Sequence, residues 1–359
     1  MSVDARGERA LRLLLAAQQI ANADSTLGQK ARRLLQTETG LSPRSIELAL
    51  DYCLEHQASR ATVLQLQKRL PTCEASHVLL AGNVFVAAFR AILLATLEGE
   101  TCYVRASSRA RVMTELLHEG SGGAFELVSE LKPNPGDHVW AYGSDGTLDK
   151  LRAELPRGVF LYAHGHGMSA AAFVEPKQTL DEDALWEAVS GLTTDTVLFD
   201  QRGCLSPRLV LIQGGRAFAE KVAEFLQQAL SDAEEQVPRG SLSSSEQAEA
   251  RHYETIFRYI GAFRRAGLGG ITLDPILERR FVPPSGRYLH LTRTTELLPQ
   301  LEQLGPYLTS ISLFGDELLE GIVRSQLGRA RIARFGDMQR PPLDGPVDLR
   351  PGLKPEPLC

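Results

Sequence analysis

The sequence predicts an α/β fold in which helices cover both faces of a mainly parallel sheet. From about residue 77 onward, short and almost continuously apolar runs alternate with helical stretches. Such runs are typical of strands that are buried on both faces, and parallel strands need a crossover that is usually a helix. The chain has 359 residues, of which 43% are hydrophobic, so it is long enough for two globular domains.

Residues 8–70, which precede this alternation, are predicted to be helical. Apolar residues from Ala10 to Leu15 form one face of a first helix. Ser42 followed by Pro43 is typical of a helix that begins with a hydroxyl cap and has a proline in its first turn.

Strands and helices are expected to alternate through the first half of the chain. The strands are expected at 77–81, 101–104, 137–142 and 159–162, and the helices between them at 84–97, up to about 118 and up to about 155. Ligands of parallel sheets bind beyond the carboxyl ends of the strands. The turns at Asn83, 105–108 and 143–146 are therefore predicted to contact a ligand.

The second half of the chain is also predicted to mix strands and helices. The apolar run 196–199 is interpreted as a strand that leads into a tight turn at Cys204. The expected elements after it are a strand at 208–213, a helix at 217–230, an exposed loop at 231–250 and a helix at about 248–265. The last twenty residues are rich in proline and are expected to be extended over the surface.

Composition and charge argue against several classes of protein. A formal net charge of −5 gives no reason to expect a nucleic-acid partner. The apolar runs are too short to span a membrane, and the opening residues lack the apolar core of a signal peptide. The five cysteines are scattered and form no CxxC pair, which argues against zinc and against a disulfide framework. These features predict a cytoplasmic protein without a metal site.

Cys204 is the strongest candidate for a functional residue. Gly203 precedes it and Pro207 follows it, and a tight turn of this kind lifts a thiol clear of the backbone. Such a thiol can act as a covalent nucleophile in acyl chemistry. The alternative is a buried structural cysteine, which is what most free cysteines are.

Two strand ends carry groups that suit a negative charge. Asn83 has a side-chain amide that could donate a hydrogen bond to a developing oxyanion. The turn with Gly143, Ser144, Gly146 and Thr147 leads into a helix, and backbone N–H groups at such a turn can bind a phosphate or pyrophosphate. Both segments are also compatible with plain turns, the second capped by its own side chains.

Two other strand ends carry basic or titratable groups. Arg105, Ser107 and Ser108 offer a guanidinium, hydroxyls and the amides of the next helix, which suits an adenosine ribose or its 2′-phosphate. His164 and His166 lie among glycines and are candidates for a general acid or base. The alternatives are a capped, solvated helix start and a glycine-rich crossing between domains. A zinc site would need ligands that the sequence does not place nearby.

Taken together, these stretches resemble the LuxC-type acyl-CoA reductases, which are fatty-acid reductases of the aldehyde dehydrogenase superfamily. The most specific match is Phe199–Arg208, which is nearly identical to the family's "fDQqgClSPq" segment. Other family patterns are similar to residues 77–84, 104–108, 142–148, 163–169 and 334–345. The resemblance extends from about residue 41 to residue 348.

The resemblance implies an aldehyde-dehydrogenase-like architecture. A helical N-terminal region and a Rossmann-type dinucleotide-binding domain would occupy residues 1–170, and an α/β catalytic domain carrying the cysteine would occupy residues 171–325. Residues 326–359 would return to the first domain and end in the proline-rich tail. The region before Asn83 is short for the superfamily, so part of the usual sheet or oligomerisation ribbon is expected to be missing.

The resemblance also implies an activity, the NAD(P)H-dependent reduction of a long-chain fatty acyl-CoA or acyl-protein thioester to the aldehyde. Cys204 would carry the acyl group, and Asn83 with the Cys204 backbone N–H would stabilise the oxyanion. The turns at 105–108 and 143–147 would contact NADPH or NADH. A homo-oligomer, and a partner enzyme for acyl delivery or aldehyde removal, are compatible with this activity.

Three departures from the family and superfamily patterns bear on the chemistry. Phe85 stands where members often have proline, and Arg105 replaces the usual lysine. Residues 164–168 contain no carboxylate, whereas oxidative aldehyde dehydrogenases place a water-activating glutamate there. This favours reduction over oxidation and leaves His164 or His166 to move a proton. The alternatives are a cysteine-dependent acyl-transferase or thioesterase without a redox step, and a non-catalytic subunit of a reductase complex.

Overall fold

The computed structural model describes residues 4–345 except 109, 306, 317, 328 and 329, together with 347, 356 and 357. The helices in this part of the chain are α1 (Ala5–Ala21), α2 (Thr26–Thr39), α3 (Pro43–Leu48), α4 (Arg60–Arg69), α5 (Ala87–Glu98), α6 (Val112–Gly120), α7 (Asp145–Glu154), α8 (Glu182–Val197), α9 (Arg216–Gln236), α10 (Ser244–Tyr259), α11 (Leu297–Leu304) and α12 (Leu319–Gln326). A single π turn, Ala49–Cys53, continues α3.

The strands form two sheets. They are β1 (Cys73–Leu79), β2 (Gly99–Arg105), β3 (Glu126–Leu127), β4 (His138–Tyr142), β5 (Phe160–His164), β6 (Met168–Val174), β7 (Pro207–Gln213), β8 (Phe263–Ala266), β9 (Gly269–Asp274), β10 (Tyr288–Thr294), β11 (Leu308–Phe314), β12 (Arg331–Ile332) and β13 (Glu356–Pro357). Helices pack on both faces of each sheet, which confirms the predicted α/β class.

The first sheet has the order β13-β5-β4-β1-β2-β3, and every strand except β13 runs parallel to its neighbours. Helices α1, α5 and α6 pack against one face, and α7 packs against the other. Leu79 pairs with Arg105, and Tyr142 pairs with His164. The strands β1, β2, β4 and β5 therefore end at one edge, where ligands of parallel sheets bind.

The second sheet has the order β12-β11-β6-β7-β10-β9-β8, with only β8 antiparallel among its described strands. Helices α8 and α9 cover one face, and α11 and α12 cover the other. The chain passes from the first sheet to the second through residues 165–167. The carboxyl end of β5 therefore lies close to the amino end of β6.

The N-terminal helices follow the sequence prediction. Residues 5–69 form α1 to α4, and Ser42 caps α3 as expected, because its Oγ accepts a hydrogen bond from the Ser45 N–H at 3.2 Å. Pro43 occupies the first helical turn, where its missing N–H has no partner to lose. Among the described helices, none is long and apolar enough to cross a membrane.

The predicted loop at 231–250 is wrong for most of its length. Helix α9 continues to Gln236 and α10 already begins at Ser244, so only residues 237–243 connect them. Ser243 and Glu246 form a capping box, in which each side chain accepts a hydrogen bond from the other residue's N–H. The serine- and glutamate-rich stretch is therefore a helix start rather than a solvated loop. The helix expected at about 248–265 ends at Tyr259, and β8 follows it.

The predicted strand at 196–199 is also wrong. Thr196 and Val197 are the last turn of α8, and the Thr196 hydroxyl donates to the Leu192 carbonyl at 2.7 Å, one helical turn earlier. A four-residue apolar run cannot be distinguished from the buried face of a helix by its pattern alone. Cys204 therefore follows a helix and precedes a strand, β7.

A closing segment, residues 331–345, runs from the second sheet back across the N-terminal half. Arg90 on α5 donates to the carbonyls of Pro341 and Pro342, both at 2.8 Å. The Tyr52 hydroxyl donates to the Gly336 carbonyl at 3.0 Å. The domain boundaries at 170 and 325 stay predictions. Of the proline-rich tail, residues 346, 348–355, 358 and 359 lie outside the described residues.

The buried carboxylate of Asp195 joins α8 to the closing segment. It accepts hydrogen bonds from the backbone N–H groups of Gly336 at 2.8 Å and Met338 at 3.0 Å. Burial raises the pKa of Asp195 to about 7, although these N–H groups act in the opposite direction. A raised pKa in the folded state means that the contribution of Asp195 to stability is greatest at low pH and is lost as the pH rises toward 7.

We predict that an Asp195→Asn variant has a flatter pH dependence of stability than the wild type between about pH 4 and pH 7, because it lacks this titration. Urea-unfolding midpoints across that range measure the difference. Asp337→Asn, which changes a half-exposed neighbour, is the matched control. Parallel pH profiles for the wild type and Asp195→Asn would show that the carboxyl does not titrate there.

Candidate active site

The turn that presents Cys204 has an unusual backbone. Phe199, Asp200 and Gln201 all have positive φ angles of 55°, 48° and 62°. Residues with a Cβ rarely adopt this left-handed region, which costs roughly 1–2 kcal/mol each. The Cys204 side chain is exposed three residues after this stretch, and β7 begins at Pro207. The surrounding protein must therefore supply contacts that stabilise the turn.

Asp200 supplies the first of these contacts. Its fully buried carboxylate accepts hydrogen bonds from Arg287 Nε at 2.9 Å and from the Gly240 N–H at 2.9 Å. Its backbone carbonyl accepts from the Gly286 N–H at 2.9 Å. Arg287 is itself buried and also pairs with Glu234 at 3.1 Å. Because the Asp200 carboxylate is desolvated, removal of Arg287 would leave it buried without a cationic partner.

Gln201 supplies the second contact. Its Nε2 donates to the carbonyls of Pro207 at 2.9 Å and Tyr288 at 2.8 Å, and its Oε1 accepts from the Tyr288 N–H at 2.6 Å. The side chain is fully buried, so these bonds satisfy both amide hydrogens without water. Gln201 thus fixes the start of β7 relative to the start of β10.

Hydroxyl groups hold the backbone of Cys204 itself. The Cys204 carbonyl accepts from Ser169 Oγ at 3.0 Å and from Thr309 Oγ1 at 2.8 Å. Ser169 lies at the start of β6, and Thr309 lies at the start of β11. The cysteine is therefore placed over the amino ends of the central strands of the second sheet.

Arg202 joins the same turn to the N-terminal helices. Its guanidinium donates to the Thr39 carbonyl at 2.8 Å, at the end of α2, and to the Ser241 carbonyl at 2.7 Å. It also pairs with Glu246 at 3.1 Å. The position of Cys204 thus depends on contacts from both halves of the chain.

The loop that carries Asn83, residues 80–86, packs against the Cys204 turn. A Cβ on Gly203 would lie 2.9 Å from Val84 Cγ2, so this close approach requires glycine. The rings of Phe85 and Phe199 meet edge to face with 5.7 Å between their centroids. Asn83 is exposed and directly precedes these two contacting residues. The loop that carries Asn83 therefore packs on the turn that carries Cys204.

The turn at 143–147 lies at the same edge of the first sheet. Ser144 caps α7 by accepting from the Thr147 N–H at 3.3 Å, and the Gly143 N–H donates to the His164 carbonyl at 3.2 Å. The space where a Gly146 side chain would lie contains no described atom within 4 Å. An exposed helix N-terminus with open space beside it suits a phosphate group.

Arg105 is the last residue of β2, Ser107 and Ser108 follow it, and Arg105 and Ser108 are exposed. The helix amides expected to serve a ligand there are already used. Glu38 on α2 accepts hydrogen bonds from the N–H groups of Arg111 at 2.6 Å and Val112 at 3.1 Å. A carboxylate from a distant helix caps α6, which no local pattern indicated. The exposed Arg105 guanidinium and Ser108 hydroxyl lie where a ribose or phosphate is expected.

The two histidines occupy different environments. His166 is exposed, its N–H donates to Asp145 Oδ1 at 2.9 Å, and its Nδ1 lies 3.3 Å from Asp145 Oδ2. His164 is half-buried, and its ring stacks on Tyr142 with 4.3 Å between centroids. His166 therefore lies beside the start of α7. Among the described residues, no group of three or more His, Cys, Asp or Glu could hold a metal ion.

Sequence reasoning missed the residues that hold the turn. The one local indication of a polar network at this turn is that two polar residues, Asp200 and Gln201, directly follow the apolar residues 197–199. Their partners Arg287 and Tyr288 lie almost 90 residues away, so no spacing could identify them.

We predict that Gln201→Ala lowers the free energy of unfolding by about 2 kcal/mol or more, because three buried hydrogen bonds are lost and their backbone partners stay buried. Urea denaturation measures this change. Gln228→Ala on the exposed face of α9, where the Gln228 side chain donates to Asp232 at 2.7 Å, is the matched control. Equal stabilities for the two variants would show that Gln201 does not stabilise the turn.

Solved structures of aldehyde dehydrogenases have the same fold. Aldehyde dehydrogenase 21 from Physcomitrella patens aligns with a TM-score of 0.70 at 12% identity, over 93% of this chain and 79% of that chain. The NAD-dependent benzaldehyde dehydrogenase from Corynebacterium glutamicum aligns with a TM-score of 0.69 at 12% identity, over 93% of this chain and 83% of that chain. The NADP-dependent glyceraldehyde-3-phosphate dehydrogenase from Bacillus halodurans aligns with a TM-score of 0.66 at 16% identity, over 92% of this chain and 79% of that chain. The expected aldehyde-dehydrogenase-like architecture is confirmed.

Comparison with protein families gives a more specific result. No curated protein matches the sequence significantly. The acyl-CoA reductase (LuxC) family matches residues 126–350, which is well over half of the chain. The matched region includes Cys204, both histidines and the turn at 143–147, but it begins after Asn83 and the turn at 105–108. The chain therefore belongs to the acyl-CoA reductase (LuxC) family, oxidoreductases that act on acyl and aldehyde groups.

Proposed function

We propose that the protein reduces a fatty acyl thioester, either an acyl-CoA or an acyl-protein, to the aldehyde through an acyl intermediate on Cys204. The observation that carries this proposal is the exposed Cys204 on a turn held by buried polar contacts. Family membership supports an acyl thioester as the substrate. A thiol fixed in place can attack a carbonyl without first being ordered, which lowers the barrier.

In the first half of the reaction, the Cys204 thiolate attacks the thioester carbonyl. The new C–S bond forms as the carbonyl electrons move onto oxygen, and Asn83 with the Cys204 backbone N–H would stabilise this oxyanion. When the oxyanion collapses, the bond to the original sulfur breaks and its thiolate takes up one proton. The packing of residues 84 and 85 against residues 199 and 203 supports this role for Asn83.

The second half requires a hydride donor, and the residues at the edge of the first sheet fit a nicotinamide dinucleotide. Gly143, Ser144, Gly146 and Thr147 present an open helix N-terminus for the pyrophosphate. On the neighbouring strand, Arg105, Ser107 and Ser108 offer a guanidinium and hydroxyls for the adenosine ribose. These residues would hold NADPH or NADH, which would supply the hydride for the acyl carbon, and Cys204 would regain its thiolate as the aldehyde leaves.

The absence of a carboxylate from residues 164–168 supports reduction over hydrolysis. Asp145, a neighbouring carboxylate, bonds the backbone and ring of His166. Asp195 receives two backbone N–H groups. These carboxylates are engaged in structural contacts, so an acyl group on Cys204 would persist until a hydride reaches it.

We predict that Cys204→Ala abolishes the acyl-CoA-dependent oxidation of NADPH, because no other group would carry the acyl intermediate. Loss of absorbance by NADPH in the presence of a long-chain acyl-CoA measures turnover. Cys73→Ala is the matched control, since burial raises the pKa of the Cys73 thiol to about 12 and that residue lies at the start of β1. Turnover by Cys204→Ala at the wild-type rate would contradict the proposal.

We predict that Asn83→Ala lowers kcat by roughly 100-fold while KM changes little, because an oxyanion donor acts mainly in the transition state. Steady-state kinetics over a range of acyl-CoA concentrations separates the two constants. Asn134→Ala, in an exposed turn before β4, is the control for loss of an asparagine side chain. A wild-type kcat in Asn83→Ala would exclude Asn83 from oxyanion stabilisation.

A further inference from the structure

One face of the first sheet carries a continuous row of aromatic rings, here called the ring ladder. Its rings come from alternate positions of the neighbouring strands β4 and β5: His138, Trp140, Tyr142, Phe160, Tyr162 and His164. Trp140 lies parallel to Tyr162 with 4.1 Å between centroids, and Tyr142 lies parallel to His164 at 4.3 Å. Trp140 also stacks on His164 at 6.0 Å, so the row continues without a break to the edge of the sheet.

A buried carboxylate fixes the other end of the ring ladder. Glu98, at the end of α5, is fully buried and lies 2.9 Å from His138 Nδ1. It accepts hydrogen bonds from Trp140 Nε1 at 2.9 Å and from the Tyr162 hydroxyl at 3.1 Å. Three rings are thus oriented by one charged group in a low-dielectric interior, where such bonds are strong.

A short segment connects the end of the ring ladder to the Cys204 turn. Five residues after His164, the Ser169 hydroxyl donates to the Cys204 carbonyl, so segment 164–169 joins the two. Burial raises the pKa of the Tyr142 phenol, and Cys204 is among the nearby groups that raise it further. The phenol therefore stays protonated at neutral pH and offers a flat, uncharged ring on which His164 rests.

We propose that Tyr142 is a positioning residue that, with Trp140, holds the His164 ring beside Cys204, where His164 gives a proton to the departing thiolate. This rests on the proposed function, in which the overall reaction consumes one proton. That proton ends on the sulfur of the leaving group, while Cys204 begins and ends as a thiolate. A general acid must lie within hydrogen-bond reach of the leaving atom, so the position of its ring matters.

His166 lies in a different environment from His164. Its exposed ring faces Asp145 at the start of α7, which is the predicted cofactor side of the site. His164 instead stacks on two aromatic rings of β4, Trp140 and Tyr142. Of the two histidines, His164 is therefore the one whose orientation the fold determines.

The test measures acylation of Cys204 alone, as the burst of CoA release from acyl-CoA in the absence of nucleotide. We expect Tyr142→Leu, which removes the ring, to slow this burst by about 10-fold or more, and Tyr142→Phe, which keeps the ring, to restore it to within about 2-fold of the wild type. Alkylation of Cys204 by iodoacetamide needs no proton donor, so both variants should react at the wild-type rate. Tyr259→Leu, at a 91% exposed tyrosine, is the control for loss of a ring.

A double-variant cycle shows whether Tyr142 affects acylation through His164. If Tyr142 acts through His164, Tyr142→Leu should slow acylation no further once His164→Ala is present. An additional loss in the His164→Ala background, or a Tyr142→Phe variant as slow as Tyr142→Leu, would overturn the positioning role while leaving the proposed function intact. A wild-type protein that releases no CoA would overturn the proposed function and this proposal with it.

Discussion

Three successive left-handed residues, Phe199 to Gln201, place Cys204, and a second left-handed segment holds them there. Arg287, itself at φ 70°, bonds the Asp200 carboxylate, and Tyr288 bonds the Gln201 side chain through both its N–H and its carbonyl. Each segment stabilises a conformation that the other could not keep alone. Strain of this kind persists only where the surrounding structure determines it, and it is commonly found at functional sites.

The site exists because the carboxyl edge of one sheet faces the amino edge of the other. The first sheet contributes strand ends and a helix start, which suit an anionic cofactor. The second sheet contributes a turn at the starts of β6, β7 and β11, held by Ser169 and Thr309. Arg202 and residues 84 and 85 connect the two across the gap. Neither sheet could assemble the arrangement alone, which explains why the candidate residues come from distant parts of the sequence.

The sequence allowed much of this to be predicted, for identifiable physical reasons. Continuous apolar strands made the parallel sheet predictable, and the polar or glycine-containing residues at their ends made the turns at 105–108 and 143–147 predictable. The Phe199–Arg208 segment identified the family. The local geometry of that segment was not predictable, because its left-handed turn depends on Arg287 and Tyr288. The capping of α6 by Glu38 and the binding of three rings by Glu98 are likewise long-range contacts between residues far apart in sequence.

We expect an acyl group on Cys204 to await a hydride rather than water. To test this, the protein is incubated with acyl-CoA in the absence of nucleotide, the adduct is located by mass spectrometry, and NADPH deuterated at the transferred position is then added. We expect an adduct on Cys204 that survives until the nucleotide is added, followed by aldehyde with one deuterium on its carbonyl carbon. Release of free fatty acid before any nucleotide is added would contradict it, and would instead indicate a thioesterase.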